Sequence, residues 1–227
     1  MSNDKAKQAA GYKAAELVED GMKVGLGTGS TAYFFIEKLI KRCKEGLKIE
    51  AIATSKKSSD QAEAGGIQLM SPDQLEYLDI DIDGADEIDH QKQMIKGGGG
   101  ALFREKIIAC AAREMIVVVS EDKVVEKLGR HALPIEITPY GYPSIIEKLR
   151  RLDVSGEIRK NGAQFYLTDN GNLILDAQME NFSGNFQELD TKIIRIPGVI
   201  ETGLFWNLAG RVVIGYADGR AEIKDAL

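Results

Sequence analysis

The sequence has few of the residues that build disulfides and metal sites: two cysteines and two histidines among 227 residues. Cys43 and Cys110 lie far apart and form no CxxC pair. The sequence therefore predicts free, buried thiols in a reducing compartment, and no disulfide. Because His90 and His131 are the only histidines, a zinc site built on imidazole ligands is disfavoured.

The sequence also lacks a long apolar run and an excess of positive charge. Its most apolar stretch, Met115 to Val119, is far shorter than the roughly 20 residues that cross a bilayer. The first residues are polar and alanine-rich, unlike a signal peptide. The formal net charge of −6 disfavours nucleic acid as a partner, but a small anion needs only a few local cations. We therefore expect a cytoplasmic protein without a membrane or nucleic-acid partner.

Strand and helix patterns alternate over the first 130 or so residues. Helices are predicted from Ala6 to about Gly21, after Thr31, over Lys56 to Ala64 and from about Ala101. Strands are predicted at Lys23 to Leu26, Glu50 to Ala53, Leu78 to Ile82 and Met115 to Val119. This order predicts an α/β fold with a doubly wound, Rossmann-like sheet, whose ligands bind at the carboxyl ends of the strands.

The pattern changes at Leu133, where a strand–helix–strand–hairpin–helix–strand order begins. The strands are predicted at 135–138, 155–159 and 199–204, the hairpin at 164–168 and 173–177 around Asn170-Gly171, and the helices at 144–152 and 186–194. This order predicts a smaller α+β, ferredoxin-like domain. The predicted limits are 133–206 for this domain, and 1–132 with 207–227 for the Rossmann-like domain, to which a strand at Val212 to Tyr216 returns.

A glycine-rich loop, Gly27 to Thr31, lies between the first predicted strand and the second predicted helix. It lacks the last glycine of the GxGxxG motif and the lysine of the GxxxxGK[ST] motif, which disfavours dinucleotides and nucleoside triphosphates. A strand, a glycine-rich loop and a helix start together direct backbone N–H groups at an anion. The loop therefore suits one phosphomonoester. The alternative is a tight turn in which Ser30 or Thr31 only caps the helix.

The aspartates at positions 79, 81 and 83 alternate like the start of a calcium loop. The twelfth position of that loop is His90, where calcium requires a bidentate glutamate. We therefore reject calcium. The three carboxylates share one strand face, so some of them must reach solvent or a cation. We expect Asp79 and Asp81 to be strand residues without a catalytic role.

Lys96, four consecutive glycines and Glu105 follow within ten residues. In a helix or strand each glycine costs about 0.5–1 kcal/mol against alanine, so four in a row indicate a backbone that approaches a ligand, or a plain flexible loop. Burial of Glu105 on an otherwise apolar helix would raise its pKa from about 4.3 towards the range of a general base. With Asp83 and Asp86, these residues predict an acid/base site.

These strings together resemble the ribose-5-phosphate isomerase family, type A. The strings are GTGST at 27–31, ATS at 53–55, DGADEID at 83–89, KGGGGALFREK at 96–106, SEDK at 120–123, TDNGN at 168–172 and PGV…ETGLF at 197–205. They occur in the family's order and spacing, so the resemblance covers nearly the whole chain.

The resemblance implies an aldose–ketose isomerase that needs neither cofactor nor metal. Such an enzyme interconverts D-ribose 5-phosphate and D-ribulose 5-phosphate through a cis-enediol(ate), in the non-oxidative pentose phosphate pathway. Glu105 matches the family's catalytic base, and Asp83, Asp86 and Lys96 match residues that assist ring opening and stabilise charge on oxygen. The family forms homodimers and in some members tetramers. The matching substrate-binding positions are Thr28, Gly29, Ser30, Thr31, Asp83, Gly84, Ala85, Asp86, Lys96, Gly97, Gly98, Gly99 and Lys123.

Two other functions fit the same fold. One is a related sugar-phosphate enzyme, such as an aminosugar-phosphate deaminase or a lactonase, but the DGADE and KGGGG strings favour the isomerase. The other is a non-catalytic sugar-phosphate sensor. We expect a sensor to carry a DNA-binding helix-turn-helix, which this sequence does not show, and to have no need of Glu105.

Overall fold

The structure is a computed structural model and describes residues 2–227. Its helices are α1 (Ser2–Ala15), α2 (Ser30–Lys44), α3 (Lys56–Ala64), α4 (Leu102–Ala111), α5 (Tyr142–Arg150) and α6 (Phe186–Ile193). Its strands are β1 (Lys23–Leu26), β2 (Glu50–Ala53), β3 (Ile80–Gly84), β4 (Glu87–Asp89), β5 (Met94–Ile95), β6 (Met115–Ser120), β7 (Val124–Val125), β8 (Leu133–Ile137), β9 (Gly156–Ile158), β10 (Lys160–Asn161), β11 (Gln164–Phe165), β12 (Leu173–Ala177), β13 (Val199–Thr202), β14 (Leu204–Phe205), β15 (Ala209–Gly215) and β16 (Ala221–Lys224).

The largest sheet has six strands in the order β2-β1-β3-β6-β15-β16. Neighbouring strands are parallel except for the edge pair of β15 and β16. All six residues of β6 are buried, because helices cover both faces of the sheet. Helices α1, α2 and α3 pack on one face and α4 on the other. The predicted doubly wound, Rossmann-like sheet is confirmed.

Helix α1 packs closely against β15, although the two elements lie near opposite ends of the chain. A Cβ atom on Gly215 would lie 1.9 Å from the carbonyl oxygen of Ala6, so only glycine allows this approach. The helix ends at Ala15, before the predicted Gly21. Residues 16–21 form turns instead, because Asp20 and Gly21 are hydrogen-bonded to the backbone of Lys48.

The second sheet has the order β13-β8-β12-β9, and all of its neighbouring strands are antiparallel. With α5 and α6 packed against it, the chain order is β8-α5-β9-β12-α6-β13, which is ferredoxin-like. Its apolar core includes Ile135, Leu149, Leu175 and Leu189. The predicted smaller α+β unit is confirmed as a fold, whereas the domain limits given above stay a prediction.

The predicted hairpin between 164–168 and 173–177 is wrong. The turn around Asn170 and Gly171 exists, with the Gly171 N–H donating to the carbonyl oxygen of Thr168, but the flanking strands have other partners. Strand β11 pairs with β10, whereas β12 pairs with β8 and β9. Gly162, with φ of 64°, lies between β10 and β11, so it provides a nearer turn than the Asn-Gly pair does.

A small third sheet, in the order β14-β5-β4-β7, was not predicted from the sequence. Its strands have two or three residues each, too few to show a period. The strand predicted at Val199 to Leu204 is split at Gly203 between this sheet and the second one. The Gly203 carbonyl oxygen accepts a hydrogen bond from the Lys96 N–H, which joins β14 to the loop after β5.

The prediction of two buried thiols is wrong for Cys110. Both cysteines are free, but Cys110 is exposed and Cys43 half-buried. The buried face of α4 consists of Leu102, Glu105, Ile108 and Ala109, and residue 110 lies on the opposite side. Within residues 2–227 no helix has the length and apolarity that a bilayer span requires.

Candidate active site

The carboxyl ends of β1, β3 and β6 meet at one edge of the main sheet. The segments that follow these strands line one cavity, together with α4 and the four glycines Gly97 to Gly100, here called the glycine loop. The residues lining it are Lys7, Thr28, Gly29, Ser30, Thr31, Gly84, Ala85, Asp86, Lys96, Gly97, Gly98, Gly99, Glu105, Ser120 and Lys123. The predicted acidic, basic and glycine-rich segments are therefore brought together in space.

Lys96 is the centre of a buried charged cluster at this cavity. Its Nζ lies 3.0 Å from Asp83 Oδ2 and 3.3 Å from Glu105 Oε2, and it donates a hydrogen bond to the carbonyl oxygen of Gly84. Lys96 and Glu105 are each 2% exposed and Asp83 is fully buried. The fold therefore brings Lys96 and Glu105, which are nine residues apart in the sequence, into contact at the cavity.

Asp83 is held by the backbone as well as by Lys96. Its Oδ1 accepts hydrogen bonds from the N–H groups of Thr28 (2.9 Å) and Gly84 (2.7 Å). A Cβ atom on Gly27 would lie 2.1 Å from this oxygen. Gly27 is therefore required for the close approach of the β1–α2 loop to Asp83, and this contact fixes the loop against the end of β3.

Burial and charge together set the protonation of the cluster. Burial raises the pKa of Glu105 to about 8; Lys96 opposes this rise, while Asp83 and Asp86 add to it. Burial raises the pKa of Asp83 too, against the opposing effect of Lys96 and two backbone N–H groups. Burial alone would lower the pKa of Lys96, but the nearby carboxylates of Asp83 and Glu105 raise it above its ordinary value. Lys96 is therefore cationic, and Glu105 can exchange a proton near neutral pH.

The glycine loop is fixed from both sides. The N–H of Gly98 donates to Asp86 Oδ2 at 2.7 Å, and a Cβ atom on Gly98 would lie 2.6 Å from Asp86 Oδ1. Gly97 and Gly100 have φ values of 103° and 79°, in the region that favours glycine. These contacts favour a loop with a fixed backbone over the alternative of a plain flexible loop.

The start of α2 lines the cavity with the geometry that suits an anion. Gly29 precedes the helix with no side-chain cap, so N–H groups of the first turn are available to a ligand. The ammonium-bearing residues Lys7 and Lys123 line the same cavity. The predicted alternative, a capped turn, is not what the structure shows at this helix.

The chain matches a protein-family model over most of its length. Residues 50–219 match the model described as ribose 5-phosphate isomerase A (phosphoriboisomerase A). The chain belongs to the ribose 5-phosphate isomerase A family. It is 51% identical to the ribose-5-phosphate isomerase A of Protochlamydia amoebophila over 220 residues, which cover 96% of this chain and 95% of that protein.

Solved structures of this family share the whole fold. The ribose 5-phosphate isomerase of Plasmodium falciparum superposes with a TM-score of 0.94 at 36% identity and covers 98% of both chains. A D-ribose-5-phosphate isomerase in complex with phospho-erythronic acid superposes with a TM-score of 0.92 at 36% identity. That match covers 99% of this chain and all of the other. The fold and the family membership inferred from the sequence strings are confirmed.

All of the predicted site residues except one line the cavity. Asp83 does not, because it is fully buried behind Lys96. The Thr28 hydroxyl is engaged with Thr54 Oγ1 at 2.6 Å and Ser55 Oγ at 2.7 Å, which explains the ATS string as support for the loop. The individual roles of the predicted residues stay a prediction.

Two further residues of the cavity were not singled out from the sequence. Lys7 lies on α1, more than seventy residues before Asp83, within a lysine- and alanine-rich helix that resembles an ordinary surface helix. Ser120 ends β6, and its buried hydroxyl has no hydrogen-bond partner among residues 2–227. The sequence feature that could have indicated Ser120 is its position in the SEDK string, directly after the predicted strand Met115 to Val119.

Residues of the TDNGN string donate hydrogen bonds to a buried glutamate. Glu136 on β8 is fully buried, and its Oε1 accepts hydrogen bonds from Thr168 Oγ1 and from the Nδ2 atoms of Asn170 and Asn172. Asp169, within the same turn, accepts a hydrogen bond from the N–H of Lys56 at 2.7 Å. The string therefore fixes a turn of the second sheet against the main sheet.

Asp81 is a buried carboxyl without a partner. It is fully buried, and neither oxygen has a hydrogen-bond partner among residues 2–227. Gly25 leaves room for it, since a Cβ atom there would lie 2.5 Å from Asp81 Oδ1. Burial, reinforced by the charge of Asp83, raises the pKa of Asp81 well above its ordinary value despite the nearby Lys96. The folded protein therefore holds the Asp81 proton to a higher pH than the unfolded chain does.

We expect the Asp81→Asn variant to be more stable than the parent protein at neutral pH. In the parent, the unfolded chain releases the Asp81 proton above about pH 4, whereas the folded protein keeps it. The difference in unfolding free energy between the variant and the parent therefore increases as pH rises above 4. The increase is up to about 1.4 kcal/mol per pH unit, until the pKa of Asp81 in the folded protein is reached. Denaturant unfolding of both proteins between pH 4 and 8 measures this gap. A constant difference across this range would contradict the prediction.

Proposed function

We propose that this family member interconverts D-ribose 5-phosphate and D-ribulose 5-phosphate. The observation that carries the proposal is the buried Lys96, in contact with Asp83 and Glu105 at a cavity that also contains a helix start and two further lysines. Relatives carrying the name ribose-5-phosphate isomerase A support the substrate. One solved relative binds phospho-erythronic acid, a phosphorylated sugar acid.

The phosphate of the substrate is bound at the start of α2 in this proposal. Backbone N–H groups and the hydroxyls of Ser30 and Thr31 donate hydrogen bonds to it, and Lys7 and Lys123 neutralise its charge. The remaining groups of the cavity then face the sugar carbons. A non-phosphorylated pentose loses these contacts and binds weakly.

Proton transfer is assigned to Glu105. The ionised carboxylate removes the proton from C2 of the open-chain aldose, and the electron pair of that bond moves into the C1–C2 bond while the carbonyl electrons move to the C1 oxygen. The ammonium of Lys96 stabilises the negative charge on that oxygen. Protonated Glu105 then delivers the proton to C1, and the C2 hydroxyl becomes the carbonyl as its proton moves to the C1 oxygen. The cis-enediol(ate) therefore needs one base and one fixed cation.

Ring opening precedes this step, because ribose 5-phosphate closes to a furanose in water. We assign Asp86, which lines the cavity, to moving the proton between the anomeric hydroxyl and the ring oxygen, and Asp83 to assisting this step through the Lys96 ammonium that it contacts. Lys96 contacts Asp83, and the N–H of Gly98 contacts Asp86, which supports fixed positions for both carboxyls. These steps use only side chains and backbone, so no cofactor or metal enters the proposal.

The assembly and the location of the protein are also part of the proposal. The family resemblance supports a homodimer, with a tetramer as the alternative, acting in the cytoplasm on a free sugar phosphate. It also supports residues 133–206 as a distinct smaller domain that covers the site or contributes to assembly. Light scattering of the purified protein measures the assembly.

The function is tested by incubating the purified protein with ribose 5-phosphate in D₂O. We expect ribulose 5-phosphate to form with deuterium at C1 whenever the proton on Glu105 exchanges with solvent before it is delivered. Ribose without phosphate and other phosphorylated aldoses serve as comparison substrates. Absence of turnover with ribose 5-phosphate, or turnover abolished by a chelator, would contradict the proposal.

The pH profile is a separate prediction. Glu105 acts as a base only when ionised, and burial raises its pKa to about 8. We therefore expect kcat/KM to increase about tenfold per pH unit up to about pH 8 and to level off above it. Initial rates between pH 6 and 10 measure this dependence. A profile that is flat from pH 6 upwards would contradict the raised pKa.

A further inference from the structure

The glycine loop is held on its outer side by one arginine of the second sheet. Arg159 follows β9, and its Nη1 donates to the carbonyl oxygens of Gly97 at 3.0 Å and Gly98 at 3.2 Å. Arg159 does not line the cavity. Its connection to the site therefore passes through the two peptide groups that it contacts.

The guanidinium is itself fixed from behind. Its Nε and Nη2 donate to Asp176 Oδ2 at 2.9 Å and to Asp176 Oδ1 at 2.6 Å. Asp176 belongs to β12, a central strand of the second sheet, and the Arg159 side chain is 16% exposed. Such a two-point ion pair uses the planar fork of arginine, which lysine lacks.

Peptide planarity passes this constraint to the cavity side of the loop. In a trans peptide the C=O and the following N–H point in opposite directions. The Gly97 carbonyl points to Arg159, and the Gly98 N–H correspondingly reaches Asp86 on the other side. By the same rule the Gly99 N–H points away from Arg159. Gly99 lines the cavity, and among residues 2–227 no acceptor for its N–H is found.

We propose that Arg159 is a positioning residue of the active site, which orients the Gly97–Gly98 and Gly98–Gly99 peptide groups. It thereby fixes Asp86 through the Gly98 N–H and aims the Gly99 N–H at the oxygens of the bound sugar. This proposal rests on the proposed isomerase function. The second sheet then contributes to catalysis, because Asp176 on β12 and Arg159 after β9 form the ion pair that holds the glycine loop.

The test compares the Arg159→Met and Arg104→Met variants. Arg104 on α4 likewise contacts the second unit, through Asn170 Oδ1 and the carbonyl oxygen of Asp169 in the turn before β12, but its hydrogen bonds do not include the glycine loop. We expect Arg159→Met to lower kcat about 100-fold, since small misplacements of reacting groups have effects of this size. We expect a much smaller change in KM, because the phosphate contacts remain, and near-parental kcat for Arg104→Met.

Guanidinium ion added at low concentration should restore part of the kcat of Arg159→Met, but a sodium salt of equal ionic strength should not. Equal loss in both variants, or no response to guanidinium, would overturn the proposal. Amide exchange at Gly98, whose N–H donates to Asp86, gives a readout that does not need activity. We expect faster exchange in Arg159→Met alone, and unchanged exchange would overturn the proposal. Inactivity of the parent protein would instead contradict the isomerase function.

Discussion

The Glu105→Gln variant is expected to lose isomerase activity, with kcat lower by about 10²–10⁴-fold. Glutamine has nearly the same shape as glutamate but cannot accept a proton from C2 of the sugar. The site contains other carboxyls, but Asp83 is fully buried behind Lys96 and Asp86 accepts the Gly98 N–H. Neither of them is free to replace Glu105.

The same variant should fold normally and still bind the substrate. Glu105 is 2% exposed, and burial raises its pKa, so removing its charge relieves a folding penalty above about pH 4.5. We expect an unchanged or higher unfolding temperature at pH 8, and heat of binding for ribose 5-phosphate in calorimetry. Glu114→Gln, which changes a glutamate just beyond α4 that pairs with Arg211 at 2.8 Å, is the matched control with near-parental rates. Parental activity of Glu105→Gln would rule out the assigned base.

The Lys96→Met variant is expected to lose both activity and stability. Methionine keeps an unbranched apolar stem but removes the ammonium that contacts both Asp83 and Glu105. Removing one partner of a buried ion pair costs about 3–5 kcal/mol, because the other charge is left uncompensated. The deficit should shrink as pH falls, since the orphaned carboxyls are then protonated in both the folded and the unfolded state.

The double variant Lys96→Met/Glu105→Gln separates the stability effect from the loss of activity. With Glu105 neutralised, one fewer carboxylate lacks its cation, so part of the lost stability returns while activity stays absent. Denaturant unfolding of the parent, both single variants and the double variant gives the coupling energy between the two side chains. A cost of less than about 1 kcal/mol for Lys96→Met would show that the cluster is not compensated in this way.

The chemical loops could be predicted from the sequence because their residues serve local geometry as well as chemistry. Gly27 must be small for the approach of Asp83, and Gly98 for the approach of Asp86. Both glycines belong to glycine-rich strings that stand out in the sequence. The burial of Glu105 could be predicted because the helix around it is apolar, and the structure places it on one buried face with Leu102, Ile108 and Ala109. Fixed spacing within one element is readable from a single sequence.

Contacts between distant segments could not be predicted. Lys7 lines the cavity only because α1 packs on the main sheet, and Arg159 contacts the glycine loop only because β9 pairs with β12. The hairpin was mispredicted for the same reason: local turn signals fitted two pairings, and the strands β8 and β9 decided between them. The sequence also did not tell which strand aspartate lacks a cation: Asp83 contacts Lys96 and Asp79 contacts Arg113, whereas Gly25 provides a closed space for Asp81.

The position of β15 has a consequence for the order in which the protein is made. Strand β15 is the parallel neighbour of β6, yet it leaves the ribosome about ninety residues later. Until then β6 has an unpaired edge of apolar residues, which other chains can join. Helix α1 likewise lacks the β15 surface that Gly215 opens for it. The main sheet is therefore completed only after β15 has been made. A chain released before that exposes the unpaired apolar edge of β6.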